Sequence, residues 1–397
     1  MLLCHKDSYL RTLTTKVVSC TAMESGYGVV LEETIFYPEG GGQPSDHGTI
    51  AGQPVKAVMH GEKSDVIHVV EKPIDGEVPV AIDWLRRYDH MQQHTAQHLL
   101  TAVAHDRFKL ATTAFHLGME RSDIEVNAAQ VAPSALRHIE EIVNEFIRED
   151  LPVSWREVEP ESIETLKIRT RGLPEGFSGT VRLVEIRGID LNTCGGTHVG
   201  RTAELQVVKI ISTEQLRGGT RIFFLAGGRV LHSLETTLEH ERALTRLLSC
   251  GRDEHEVAVK RLADEVKRGA RAQRDLRIEL ARYLGEALTR ADRVNALHRA
   301  DGDMDFLRAI AEAASACRSD MLILLTGGGE KGPGVFLLKG PANEVQKIGP
   351  SIAGILEGRG GGTGTIFQGK ANSIEKRGEA LSFLGTAAIS GASTIHR

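Results

Sequence analysis

Little in this 397-residue chain points to a disulfide scaffold, a membrane or export. Its cysteines are only five (Cys4, Cys20, Cys194, Cys250, Cys317), odd in number and widely scattered. Small disulfide-stapled domains carry paired cysteines at close spacing, so a reducing cytoplasm is the expected setting. No apolar run approaches the roughly 18–20 residues that a membrane span needs, and no membrane partner is expected. The N-terminus, MLLCHKDSYLRTL, meets charge at Lys6 before any long apolar stretch, so no secretory signal is expected. Excess positive charge is also missing: 48 Lys and Arg oppose 53 Asp and Glu, for a net charge of −5. Contact with nucleic acid must then come from local patches, because the global field does not favour it. Aromatics are scarce at 5%, whereas glycines number 42 and gather in clusters. The length itself exceeds what one core ordinarily fills, about 250–300 residues, and predicts two or three domains.

What is present changes character along the chain. Up to residue 89, TKVVSCTAM, YGVVLEETIFY, GTIAGQPVKAVM, SDVIHVVEK and VPVAIDW alternate or run apolar with β-branched enrichment. Short strands at this spacing predict a small β-barrel over 1–89. Within it, YPEGGGQP can be neither helix nor regular strand. From Asp89 the period becomes helical, with Met91, Ala96, Leu99, Leu100, Val103 and Ala104 on a helix. A second helix fits ALRHIEEIVNEFIRED, and the strand-like segments TAFHLG, DIEVNA, VSWREV, TVRLVEI, AELQVVKIISTEQ and TRIFFLAG surround it. An α+β domain with helices laid on an antiparallel sheet is predicted over 90–228. Residues 229–302 read as a helical hairpin or coiled-coil arm, locally basic, with eight Lys/Arg against four Asp/Glu in 260–282. The remainder, 303–397, alternates helix and strand around glycine-dense loops and predicts a compact α/β module. The fold class is therefore α+β, in several domains.

Two pairs of residues carry candidate chemistry. His94 and His98, four apart in a helical pattern, project from one face about a turn apart, a spacing that suits two imidazoles on one metal ion. Zinc proteases place Glu after the first His as general base; Thr95 stands there instead, against peptide hydrolysis. Cys194 and His198 are also four apart, with Gly195 and Gly196 between them to let the backbone turn tightly. A lone free cysteine is ordinarily a small buried hydrophobe. Together, however, the pairs make a set of three His and one Cys, and zinc takes four such ligands, or three plus water.

These motifs carry a resemblance. HTAQHLL at 94–100 and CGGTHV at 194–199 resemble the paired motifs of the alanyl-tRNA synthetase editing domain and its free-standing AlaX relatives. FYPEGGGQP and IDWLRRYDHM look like the same family's barrel signature and its entry into the editing core. The module after 303 is similar to the DHH-associated domain. Asp89-His90-Met91 does not supply the Asp-His-His motif of DHH phosphoesterases, so that module is expected to bind without chemistry of its own. A synthetase is not expected, since no aminoacylation domain precedes the barrel.

The resemblance implies a zinc-dependent deacylase acting in trans on tRNA(Ala) mischarged with serine or glycine, with one Zn2+ per chain on His94, His98, Cys194 and His198. Either all four ligate, or three do with water or substrate completing the shell. Thr112 and Thr113 are candidates for contacting the serine hydroxyl, although strand threonines often just fit a half-exposed sheet. Gln43 is placed towards the same cleft, or in a turn role. No Asp, Glu or extra His is clearly placed as general base. Arg86, Arg87, Arg217 and Arg221 are tRNA-binding candidates near the core, and Arg359 and Lys370 in the glycine-rich module. Homodimerisation through the helical arm or the C-terminal module is expected. The alternatives are editing of another mischarged tRNA such as Ser-tRNA(Thr), and a non-catalytic RNA-binding protein with a closed structural zinc site.

Overall fold

Alternating apolar and polar residues up to Ile82 give seven strands: β1 (Thr12–Met23), β2 (Gly26–Leu31), β3 (Gly48–Ile50), β4 (Gln53–Val55), β5 (Ala57–His60), β6 (Val66–Val70) and β7 (Glu77–Ile82). The computed structural model describes residues 2–61, 65–163, 166, 168–169, 179–290 and 292–392. Two compact units divide the chain, Met1–Ala243 and Leu244–Arg397.

In the first unit the seven strands pair antiparallel in the order β4-β3-β7-β1-β2-β6-β5. The strands at the two ends of that order, β4 and β5, are one stretch of chain interrupted only at Lys56. The sheet thus curls until its covalent chain nearly closes it, which is the barrel expected and leaves little free edge. Val29, Phe36, Ile50, Val58, Val70 and Val80 fill the interior. Between β2 and β3 the glycine cluster makes a tight turn. Gly41 and Gly42 sit at φ +58° and +84°, while Gly40 and Gln43 exchange backbone hydrogen bonds of 3.1 and 3.0 Å. Both central positions need the left-handed backbone that glycine adopts without steric cost.

One residue, Asp83, separates the barrel from helix α1 (Trp84–Phe108), and its carboxylate accepts the Arg86 N–H at 3.2 Å as an N-cap. The helix starts at Trp84, so the domain boundary expected after residue 89 falls inside it. Beyond α1 come β8 (Thr112–Leu117), β9 (Ser122–Val126), α2 (Pro133–Arg148), β10 (Val153–Val158), β11 (Val181–Ile186), β12 (Asp190–Thr193), β13 (Val208–Leu216) and β14 (Gly219–Ala226). Four strands form one antiparallel sheet, β13-β14-β9-β8, and three form another, β10-β11-β12. Leu99 and Val103 of α1 and Ile139 and Val143 of α2 pack on Ile124, Ile222 and Phe224 of the larger sheet. Each such side chain contributes about 1.5–3 kcal/mol on full burial. The strand expected from Ala203 begins only at Val208, because 202–205 is a 3-10 turn. The sequence pattern gave no sign of β12.

The segment read as an arm forms two helices, α3 (Gly228–Leu248) and α4 (His255–Leu288). The second unit adds β15 (Val294–Arg299), α5 (Met304–Cys317), β16 (Leu322–Gly328), β17 (Gly334–Lys339), α6 (Ala342–Ile355), β18 (Arg359–Gly361), β19 (Ile366–Ala371) and α7 (Arg377–Ala392). Its sheet runs β15-β16-β17-β19-β18, parallel only between β15 and β16. Alternation along β16 serves two cores: Leu322 and Leu324 face the α6 side with Ile348 and Ile352, and Ile323 and Leu325 face Phe306 and Ile310 of α5. A strand buried on both faces reads as a continuous apolar run, which LILLTGG is. Among the described residues no helix is long and apolar enough to cross a membrane.

Candidate metal centre and active site

Helical periodicity puts His94, Gln97, His98, Thr101 and His105 on one face of α1, and all five line a cavity of about 670 Å³. That is within the ordinary size of small-ligand sites, about 300–1,000 Å³. The opposite wall comes from the barrel's glycine turn and from the 194–196 segment that follows β12.

His94, His98, Cys194 and His198 each offer one donor atom, and the four atoms lie within 4.8 Å of one another. The Cys194 Sγ is 3.2 Å from His198 Nε2 and 3.5 Å from His94 Nε2. Donors about 2.0–2.3 Å from a tetrahedral zinc lie roughly 3.3–3.7 Å apart, so these spacings suit such an ion. The other face of each ring is already held. His94 Nδ1 meets Gln43 Oε1 at 2.9 Å, His98 Nδ1 meets Asp190 Oδ2 at 2.8 Å, and His198 Nδ1 meets Thr95 Oγ1 at 3.1 Å. For His94 and His98 the partner is an acceptor, so Nδ1 donates a proton to it and Nε2 is the nitrogen a metal ion would take, displacing any proton held there. This is how metal-binding imidazoles are oriented. Three imidazole nitrogens and a thiolate are a donor set that fits zinc.

The helix places its own two candidate donors; the loop is placed by others. Gln43 Oε1 also accepts the Thr197 N–H at 3.1 Å, and its Nε2 donates to Thr197 Oγ1 at 2.9 Å. Arg182 of β11 donates through Nη1 to the carbonyls of Cys194 and Gly196, at 2.8 and 2.9 Å. A Cβ on Gly196 would stand 2.2 Å from His94 Cε1, whereas one on Gly195 would meet nothing within 4 Å. Neither glycine has a positive φ. The glycine requirement is therefore close approach at Gly196, not the tight turn expected of the pair.

Burial resists ionisation of Cys194, but His94 and His198 beside it more than offset this and hold the thiol well below its ordinary range. Burial also opposes charge on His98, yet its hydrogen bonds to Asp190 and Cys194 prevail and raise it to about 10. His198 is lowered to about 3, chiefly by burial. Asp190 stays below the usual carboxylate range despite its burial, because His98 and Arg169 both bond it. Arg169 Nη1 reaches Asp190 Oδ1 at 2.5 Å and pairs with Asp106 as well.

The predicted residues divide clearly. Thr112 is half-buried in the cavity wall, its Oγ1 donating to Thr101 Oγ1 at 3.3 Å. Thr113 is exposed, bonds the Glu125 carbonyl at 3.3 Å, and does not line the cavity. Gln43 is buried, with both ends of its amide bonded, to His94 and to Thr197. Arg87 is 0% exposed: it is ion-paired to Asp46 and donates to the carbonyls of Ser8 and Ile35 at 2.9 and 2.6 Å. The first turn of α1 faces the barrel there, so this arginine joins the two layers and is closed to RNA. Arg86 is half-buried and donates to the Ser45 carbonyl at 3.0 Å. Arg221 is compensated by Glu125 at 2.6 Å and Asp123 at 3.3 Å. Arg217 is exposed in the β13–β14 turn, and Arg359 and Lys370 are exposed partners across β18 and β19 in the second unit. Asp190, Arg182, Gln97 and Thr101 went unrecognised in the sequence. An acidic residue four before Cys194 was a readable signal for Asp190; nothing local distinguished Arg182. Three further imidazoles, His5, His60 and His105, also line the cavity.

Residues 181–222 match the family described as Threonyl and Alanyl tRNA synthetase second additional domain. The chain is 42% identical to the mouse alanyl-tRNA editing protein Aarsd1, over 96% of this chain and 97% of that protein. It is 36% identical to the alanyl-tRNA editing protein AlaX-L of Pyrococcus horikoshii, over 59% of this chain and 60% of that one. An alanine–tRNA ligase of Methanobrevibacter smithii shares 28% identity over 96% of this chain but only 45% of its own length.

Proposed function

This chain belongs to the family of alanyl-tRNA editing proteins, and from that premise we propose that it hydrolyses, in trans, the aminoacyl ester of tRNA(Ala) mischarged with serine, and with glycine as well. The observation that carries the reading is a cavity sized for a small ligand whose wall holds the oriented imidazoles of His94 and His98 and the Cys194 thiol, with a donor atom of His198 within 4.8 Å of theirs. His94, His98, Cys194 and His198 would hold one zinc ion per chain. When bound, zinc supplies a Lewis acid that polarises or orients an ester carbonyl. The chain's own groups do the rest. Gln43, Asp190 and Thr95 fix the ligand rings, and Arg182 fixes the loop. The cavity positions water against an ester that is already labile, and positioning alone supplies a large share of such an acceleration.

Discrimination against alanine belongs to the polar wall. A site that hydrogen-bonds a hydroxyl rejects the analogue lacking it far better than an apolar pocket rejects an added hydroxyl. Thr112 and Thr101 offer such hydroxyls in the cavity. Of the arginines and lysine expected at the RNA, exposure leaves Arg217, Arg359 and Lys370 as the available ones. A cytoplasmic location, a homodimer formed through the helical segment or C-terminal module, and a four-part domain division belong to the same proposal.

The test is deacylation of Ser-tRNA(Ala), Gly-tRNA(Ala) and Ala-tRNA(Ala) by wild type beside Cys194→Ala. Clearance of a mischarged species that spares Ala-tRNA(Ala) and disappears in the variant is expected. A wild type that binds zinc and tRNA yet clears none of the three would sink the deacylase reading in favour of a structural zinc site.

A further inference from the structure

We propose that Gln97 contacts the substrate, its side-chain Oε1 accepting a hydrogen bond from an N–H or O–H of the aminoacyl group. The inference rests on the deacylase reading and deepens it. Gln97 lies between the two helix ligands in sequence and shares their face of α1. Its side chain is buried, with the residue 3% exposed, and it lines the cavity. One end of the amide is fixed: Nε2 donates to Thr101 Oγ1 at 2.9 Å, and the same oxygen receives Thr112 Oγ1 at 3.3 Å. Oε1 is buried and has no hydrogen-bond partner.

A buried amide oxygen without a donor is costly, and folded proteins leave one only where something else satisfies it. Among the described residues, two that line this cavity have such an orphaned side-chain atom, Gln97 and Arg169. The Arg169 guanidinium is otherwise engaged by Asp106 and Asp190, so Gln97 supplies the unsatisfied acceptor. An acceptor cannot stabilise the ester carbonyl or the oxyanion that develops from it, which excludes that role. The donors an aminoacyl ester brings here are the α-amino group, common to every amino acid, and the hydroxyl, which serine has and glycine and alanine lack. Either would rest beside the ester at the metal centre, because His94 and His98 flank Gln97.

The experiment measures kcat and KM for Ser-tRNA(Ala) and Gly-tRNA(Ala) with wild type, Gln97→Leu and Gln97→Glu, together with zinc content and thermal unfolding. Gln97→Leu keeps the volume and removes the acceptor. It is expected to lower kcat/KM for Ser-tRNA(Ala) roughly 10- to 100-fold with zinc content unchanged, and Gln97→Glu, which keeps an oxygen there, to recover part of that loss. An equal fall on Gly-tRNA(Ala) identifies the α-amino group as the donor; a fall confined to the serine ester identifies the hydroxyl. If Gln97→Leu loses zinc or fails to fold, Gln97→Asn, which withdraws the amide by one methylene, must show the same fall. An active wild type with Gln97→Leu, or failing that Gln97→Asn, at wild-type rates on both esters overturns this inference alone. A wild type inactive on both overturns the deacylase reading and this inference with it.

Discussion

The two halves of the candidate metal centre use the same donor spacing and reach it by opposite means. His94 and His98 stand on α1, where the backbone's own hydrogen bonds and a 3.6-residue period set them one turn apart. Cys194 and His198 stand on a segment with no regular structure. Their positions depend on Gln43 from the barrel, Arg182 from β11 and Thr95 from α1. A helix is locally self-sufficient, whereas a loop takes its geometry from groups distant in sequence. The helix pair should thus be sensitive mainly to how α1 is anchored, and the loop pair to individual side chains far away.

That contrast can be broken most forcefully at the anchor. Arg87→Leu leaves Asp46 buried and unpaired where α1 meets the barrel, and a loss of about 3–5 kcal/mol is expected in chemical unfolding. Zinc affinity of the protein that stays folded should change little, since the helix keeps its period; a large fall in affinity would show that α1 is not self-sufficient. On the loop side the sharpest probe is Gly196→Ala, whose Cβ collides with His94, beside Gly195→Ala, which enters open space. The first should weaken zinc binding by about 10- to 100-fold, the scale of disrupted support around a metal ligand, and the second should leave it alone in competition titrations. Equal effects from both would return the argument to backbone turning. Gln43→Leu removes the bonds to His94 and Thr197 together and should weaken zinc binding at the lower end of that range, about 10-fold. The smallest effect is expected from Thr95→Val, which removes the single contact to His198 Nδ1 and one to Val199, about 0.5–1.5 kcal/mol by denaturation.

The same contrast explains how much was legible in advance. The helix pair, the apolar stripe of α1 and the strands of the barrel follow from period and spacing, which are properties of neighbouring residues. Four residues of β12 carry too little alternation to be read, so Asp190, which orients His98, stayed hidden with it. Arg87 looks like any charged residue beside Arg86, and only packing against Asp46 decides that one of the two is sealed in the core. Thr112 and Thr113 are adjacent threonines on a strand, and the sheet's two faces separate them into cavity and solvent. Gln43 was placed near the cleft by its glycine neighbours, but its role in holding His94 depends on a fold that joins positions 51 residues apart.

The sequence alone determined the element types of the barrel, the helix that bears two of the candidate donors, and the identity of all four, because period, turn chemistry and residue type are local. Tertiary structure alone decided which glycine is needed, which arginine is buried, and which amide oxygen is left without a partner in the cavity. Those facts depend on which atoms come within a few ångströms across long stretches of chain, and no local pattern encodes that.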